Sequence, residues 1–276
     1  TPSATLEIHD IGSTGPCVLL RGATSTEGDV TVPDGETFNF GHWNYSSSTF
    51  TERLRITDVG RVYIGGQSGR SPSGLTPQLQ IEGIDVGTSS MSLTRNSANS
   101  GGASIILNKT RGTAVNADTA VKGGDTLGIL QFAGNDGVDS DNAAAWVLAK
   151  VDDATSQTMT NNVMPGRLEF YTRSDTSSGS LQNRMTITSG GEVLINEHSP
   201  RSYVDGAGNT QTPKLQVESD DNTSTAISLT YNSGAGHANR RASFMFARTA
   251  DGSAVSNNSV LGEVLFMGEG NSTLEK

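Results

Sequence analysis

Short runs of alternating apolar and polar residues dominate this chain. Leu54-x-Ile56, Val62-x-Ile64, Leu79-x-Ile81, Leu168-x-Phe170, Met185-x-Ile187 and Val193-x-Ile195 all show it, bounded by Gly, Asn, Asp and Ser. Side chains alternate across a strand, so this period of two predicts short, half-buried β-strands. The 3.6-residue period of an amphipathic helix is nearly absent. Even Ala143–Val151, the most apolar run, sets Trp146, Leu148 and Lys150 against Val147, Ala149 and Val151, which predicts a strand. The expected fold class is all-β.

The pattern repeats. The stretch from Arg53 to Ile64 recurs without a gap from Arg184 to Ile195, an offset of 131 residues. Thr76-Pro77-Gln78-Leu79-Gln80-Ile81-Glu82 returns as Thr212-Pro213-Lys214-Leu215-Gln216-Val217-Glu218, and Leu127-Gly128 returns as Leu261-Gly262. Phe38-Asn39-Phe40 precedes the Arg53 stretch much as Leu168-Glu169-Phe170 precedes the Arg184 stretch. A fixed order of blocks with variable spacers is the mark of modules stacked along an axis. Three modules are expected: a short one over 1–75, a full one over 76–211 and a truncated one over 212–276. The chain is expected to be a segment of a longer protein.

Each Arg53-type stretch predicts a β-hairpin. Leu54 and Ile56 share one strand face, and Val62 and Ile64 share the face of the next. Gly60 and Gly191 hold equivalent places in the connection, where a turn requires positive φ. An isolated hairpin is marginal in water. Trimerisation about the long axis is expected to cover each narrow apolar face with those of two other copies, and to protect the sheet edges.

These residues carry a resemblance. Residues 52–65, Glu-Arg-Leu-Arg-Ile-Thr-Asp-Val-Gly-Arg-Val-Tyr-Ile-Gly, resemble the "ERMRI-x-x-x-G-x-V-x-IG" signature of bacteriophage tail-fibre proteins. Gly166–Thr172, Gly124–Gly128, and Asp136-Gly137 followed by Ala143-Ala144-Ala145 are similar to further blocks of these fibres. The second copy departs from the signature: Asn183 stands for Glu and Asn196 for the final Gly. The resemblance implies a homotrimeric fibre shaft, an elongated intertwined β-prism or triple β-helix. It would lie on the virion, joined to other virion or tail proteins, and position a host-binding tip. Weak contacts of its loops with host surface glycan belong to the same expectation.

Composition fits a thin body. Of 276 residues, 33% are hydrophobic and only 5% aromatic, too few for a large globular core. The net charge of −10, with no Lys/Arg cluster, argues against nucleic acid and against an anionic membrane surface. No apolar run approaches the roughly 20 residues of a membrane-spanning helix. Cys17 is the single cysteine, so an internal disulfide and a thiolate metal cluster are excluded; a small apolar residue is the expected role.

Candidate chemistry is sparse. His9, His42, His198 and His237 are scattered, without metal-ligand spacing. Asp136-Gly137-Val138-Asp139-Ser140-Asp141-Asn142 places hard oxygens close together, but lacks EF-hand spacing and its closing Glu; a solvated turn is favoured over Ca²⁺. Asp205–Asn209 and Asp220–Asn222 are weaker versions. Trp43 with Tyr45, and Trp146, suit packing or a subunit interface better than sugar stacking. Arg53 and Arg184, placed before each hairpin, are expected to pair with a carboxylate in their own or an adjacent subunit. Neither catalytic, cofactor-binding nor metal residues are assigned, and the expectation is a structural protein rather than an enzyme. Its rivals are a host-polysaccharide-binding or depolymerising tailspike, and a prokaryotic surface filament or adhesin.

Overall fold

The computed structural model describes residues 37–44, 46–66, 68–152, 157–160, 162–175, 179–204, 208–219, 227–228, 268–269 and 274–275. Their contacts divide the chain into two units, Thr1–Asn96 and Ser97–Lys276. The described residues are β-rich, arranged in several sheets, and their only helical segment is a single turn at Pro72–Gly74.

In the first unit, β1 (Phe38–Asn44), β2 (Thr49–Ile56), β3 (Val62–Ile64) and β4 (Leu79–Ile81) form one sheet in that order. β2 and β3 are the expected antiparallel hairpin, with Ile56 opposite Val62 and Leu54 opposite Ile64. Its turn is closed by the Gly60 N–H donating to the Thr57 carbonyl at 2.9 Å, and Gly60 has φ +76°. A left-handed glycine after a tight turn matches the twist of the flanking strands. β4 then pairs parallel to β3, with Val62, Tyr63 and Ile64 opposite Leu79, Gln80 and Ile81.

The second unit repeats this arrangement and extends it. β5 (Thr126–Gly134), β6 (Asn142–Val151), β7 (Gly166–Arg173), β8 (Leu181–Ile187), β9 (Val193–Ile195) and β12 (Leu215–Val217) form a sheet of sequential neighbours. Ala143–Val151 is thus a strand. β7, β8, β9 and β12 reproduce β1 to β4: a register shift follows Phe170 as one follows Phe40, Gly191 has φ +81°, and β12 runs parallel to β9 with Val193 opposite Leu215. Between β9 and β12 lies a two-stranded hairpin, β10 (Tyr203–Val204) with β11 (Thr210–Gln211). A last short pair joins β13 (Gly268–Glu269) to β14 (Leu274–Glu275).

The parallel connection is held by the same clamp in both copies. The Arg70 N–H donates to Gln80 Oε1 and the Arg201 N–H to Gln216 Oε1, each at 2.9 Å. Gln80 and Gln216 donate in turn to the carbonyls of Pro77 and Pro213. Arg70 pairs with Glu82 at 2.7 Å and Arg201 with Glu218 at 2.5 Å. A hydroxyl clasp, Ser71 to Thr76 at 2.8 Å and Ser202 to Thr212 at 2.7 Å, closes four residues in the first copy and the β10–β11 hairpin in the second. The connection also passes over one sheet face: a side chain at Gly69 would strike the Tyr63 hydroxyl.

Candidate self-association face

Directly opposed residues in neighbouring strands share a sheet face. In the first unit two apolar rungs cross all four strands. One is Phe38, Ile56, Val62 and Leu79; the other is Phe40, Leu54, Ile64 and Ile81. The second unit carries the same two rungs, as Leu168, Ile187, Val193 and Leu215, and as Phe170, Met185, Ile195 and Val217. Gly128 with Ala149, and Leu130 with Val147, prolong them into β5 and β6.

Among the described residues this ladder is the more exposed face, although Leu107 lies against it at Gly128. Phe40 is 50% exposed, Leu79 53%, Leu130 55% and Leu215 59%, and Ile56 and Leu168 are exposed too. The opposite face is the covered one. Tyr63 is 6% exposed, while Leu194 and Thr186 are fully buried and Glu169 and Gln216 nearly so. Ile56 and Ile187, on the hairpin face expected to be covered by neighbouring copies, lie on the more exposed face of the sheet, Ile56 exposed and Ile187 half-buried. Tyr63 and Leu194, which alternate with Val62 and Ile64 and with Val193 and Ile195, are buried on the opposite face. An apolar side chain at an expected polar position was the signal available for them.

The covered face carries a charged cluster. Glu169 on β7 pairs with Lys150 Nζ at 3.1 Å and Arg167 Nε at 2.7 Å, and its Oε2 accepts from the Tyr171 hydroxyl at 2.7 Å. Burial raises the Glu169 pKa, but the hydroxyl and the two cations outweigh it and hold the carboxyl below its usual range. Burial and the same carboxylate push Tyr171 up to about 12. Arg167 also reaches Asp152 at 3.4 Å, and Asp152 accepts from the Ser189 N–H at 2.6 Å, tying β6 and β7 to the β8–β9 turn. Each of these partners lies on β6, on β7, in the residues that flank them or in the β8–β9 turn.

The other candidate residues do not converge. The Asp136 carboxylate accepts from the N–H groups of Val138 and Asp139 and from Asn142 Nδ2. Those bonds, the Val138 one first, hold its pKa below the usual value. The carboxylate closes its own turn. Among the described residues, no group of three or more His, Cys, Asp or Glu is placed to hold a metal ion. His42 is exposed on β1, and His198 is exposed beside Glu197. Trp146 is half-buried on β6 and tilts against Tyr171, ring centres 5.9 Å apart, as a packing residue does.

Arg184 is exposed and, within its own chain, donates to the Thr172 hydroxyl at 3.1 Å. The carboxylate-bound arginine is the neighbour of Arg53: Arg55 binds Glu52 through two hydrogen bonds of 2.9 and 2.7 Å. His9, Cys17, Tyr45, Asp205, Asp220, Asp221 and His237, and the Trp43 side chain, lie outside the described residues. No helix among the described residues is long and apolar enough to cross a membrane. No protein-family model matches the chain, and no curated protein matches it in sequence.

Proposed function

We propose that this chain is a structural segment of a viral tail fibre: the repetitive, homotrimeric shaft of a bacteriophage fibre, positioning a host-binding tip. The observation that carries this reading is the open apolar ladder, present with one register in two modules. A periodic face needs a periodic partner, and a second and third copy of the same chain present the same rungs at the same spacing. Each half-exposed aliphatic side chain on the ladder still has roughly 1 kcal/mol to gain from full burial. The exposed turns contribute only weak glycan contacts in this reading, multiplied by the number of chains. The role is mechanical and needs neither cofactor nor catalytic residue. Sedimentation velocity on the purified chain tests it. An elongated trimer is expected; a compact monomer that stays monomeric at high concentration would overturn the architecture.

A further inference from the structure

The two hairpins present nearly interchangeable docking edges. β4 and β12 differ little, Leu79-Gln80-Ile81-Glu82 against Leu215-Gln216-Val217-Glu218, and both run parallel to a Val-x-Ile strand in one register. Gln78 and Lys214 each accept from a hairpin valine, Val62 and Val193, at 2.7 Å. The glutamine clamp, the Arg–Glu pair and the hydroxyl clasp are duplicated as well. β12 laid on β3 would recover each of these backbone and clamp interactions. An open strand edge accepts any strand that fits it.

Two places distinguish the docks: after the hairpin, Asn196 Nδ2 donates to the Glu218 carbonyl at 3.3 Å where the first copy has Gly65, and the other, a charged one, lies ahead of the strands. Ahead of β9, Glu192 is only 7% exposed and binds Lys214 Nζ at 2.5 Å, while the Thr188 hydroxyl donates to its other oxygen. Lys214 also donates to the Gly190 carbonyl. Ahead of β3, the matching residues are Arg61 and Gln78. Arg61 repeats the backbone bond of Glu192, its N–H donating to the Thr57 hydroxyl as that of Glu192 donates to Thr188, and Arg61 Nε is buried without a hydrogen bond.

We propose that the Glu192–Lys214 ion pair, set against Arg61 and Gln78 at the matching places, assigns each incoming strand to its own hairpin. β12 on β3 would press Lys214 against Arg61. β4 on β9 would leave a buried Glu192 with neutral Gln78 and no cation, which is costly. Rejection of the wrong partner is as much a part of specificity as attraction to the right one. Repeats this similar need such a device, within one chain and between copies.

The test uses the full chain, unfolded in denaturant, refolded, treated with a zero-length carbodiimide cross-linker and mapped by mass spectrometry. Wild type should give the Glu192–Lys214 isopeptide and no product joining Lys214 to Asp58, which flanks Arg61 in its turn. R61E should gain a second product, from position 61 to Lys214, at the expense of the first. R61E/E192Q should give the position 61 product alone. The proposal is overturned if R61E refolds and Lys214 still joins Glu192 alone at wild-type yield, because connection length then sets the pairing. A 58–214 product in wild type would overturn it too, since the two turns would then be neighbours without any mispairing. Should R61E/E192Q refold poorly, R61E decides.

Discussion

Glu169 shows how one residue holds several strands. It sits with almost no solvent exposure between cations from β6 and β7, so truncation leaves the half-buried Lys150 without its carboxylate and Arg167 with Asp152 alone. Glu169→Ala is expected to destabilise the second unit by about 3–5 kcal/mol, read as a lower midpoint in urea unfolding. The pH dependence follows from the sign of its shift. The folded-state pKa is depressed, so the stabilisation is fully present above the unfolded value of about 4.3 and is lost as pH falls through the folded value. Wild type should therefore lose more stability between neutral pH and pH 3 than Glu169→Gln; parallel acid limbs for the two proteins would remove Glu169 from the account. The alternation marked position 169 only as a polar residue between Leu168 and Phe170, on the side facing away from the apolar rungs. Its burial depends on chain passing over that side, which strand periodicity does not record.

At the scale of elements, the hairpin was legible because its signals are local. Period two set Leu54 and Ile56 on one face, and the glycine at 60 and 191 marked the turn. Gly191→Ala forces a side chain into φ +81° with open space around it, so strain alone sets the cost. About 1 kcal/mol is expected, measured as a shift in the unfolding midpoint of the second unit. Gly60→Ala should cost about the same, and unequal losses would mean the two turns are not equivalent. The parallel docking of β4 and β12 was not legible. Leu79-x-Ile81 reads as a strand from any partner's point of view, and the sequence repeat places it at the head of a module rather than at the end of a sheet. The matching Arg70-Ser71 and Arg201-Ser202 were the available clue, since clamp residues recur with the strand they hold. The covered face was hidden for a related reason. Apolar rungs identify a face that is to be buried, and not whether the same chain or another one buries it.

At the scale of the molecule, the open ladder separates fold from assembly. Ile187 is half-buried in a single chain, so a charge there disturbs the isolated sheet modestly but would be sealed in apolar surroundings once copies associate. In the proposed trimer, Ile187→Asp is expected to abolish assembly in sedimentation while keeping the β-type circular dichroism of the parent; an intact trimer would remove the ladder from the interface. The low hydrophobic content agrees with the proposed assembly, in which a core shared among copies would need less apolar bulk in each. The hydroxyl clasp has a consequence of its own. Ser71 with Thr76, and Ser202 with Thr212, fasten the chain on both sides of a stretch whose length already differs between copies, and each doubling of such a stretch costs only about 0.6 kcal/mol in closure entropy. The molecule thus holds two sockets where foreign peptide could be grafted with the sheet beneath left undisturbed.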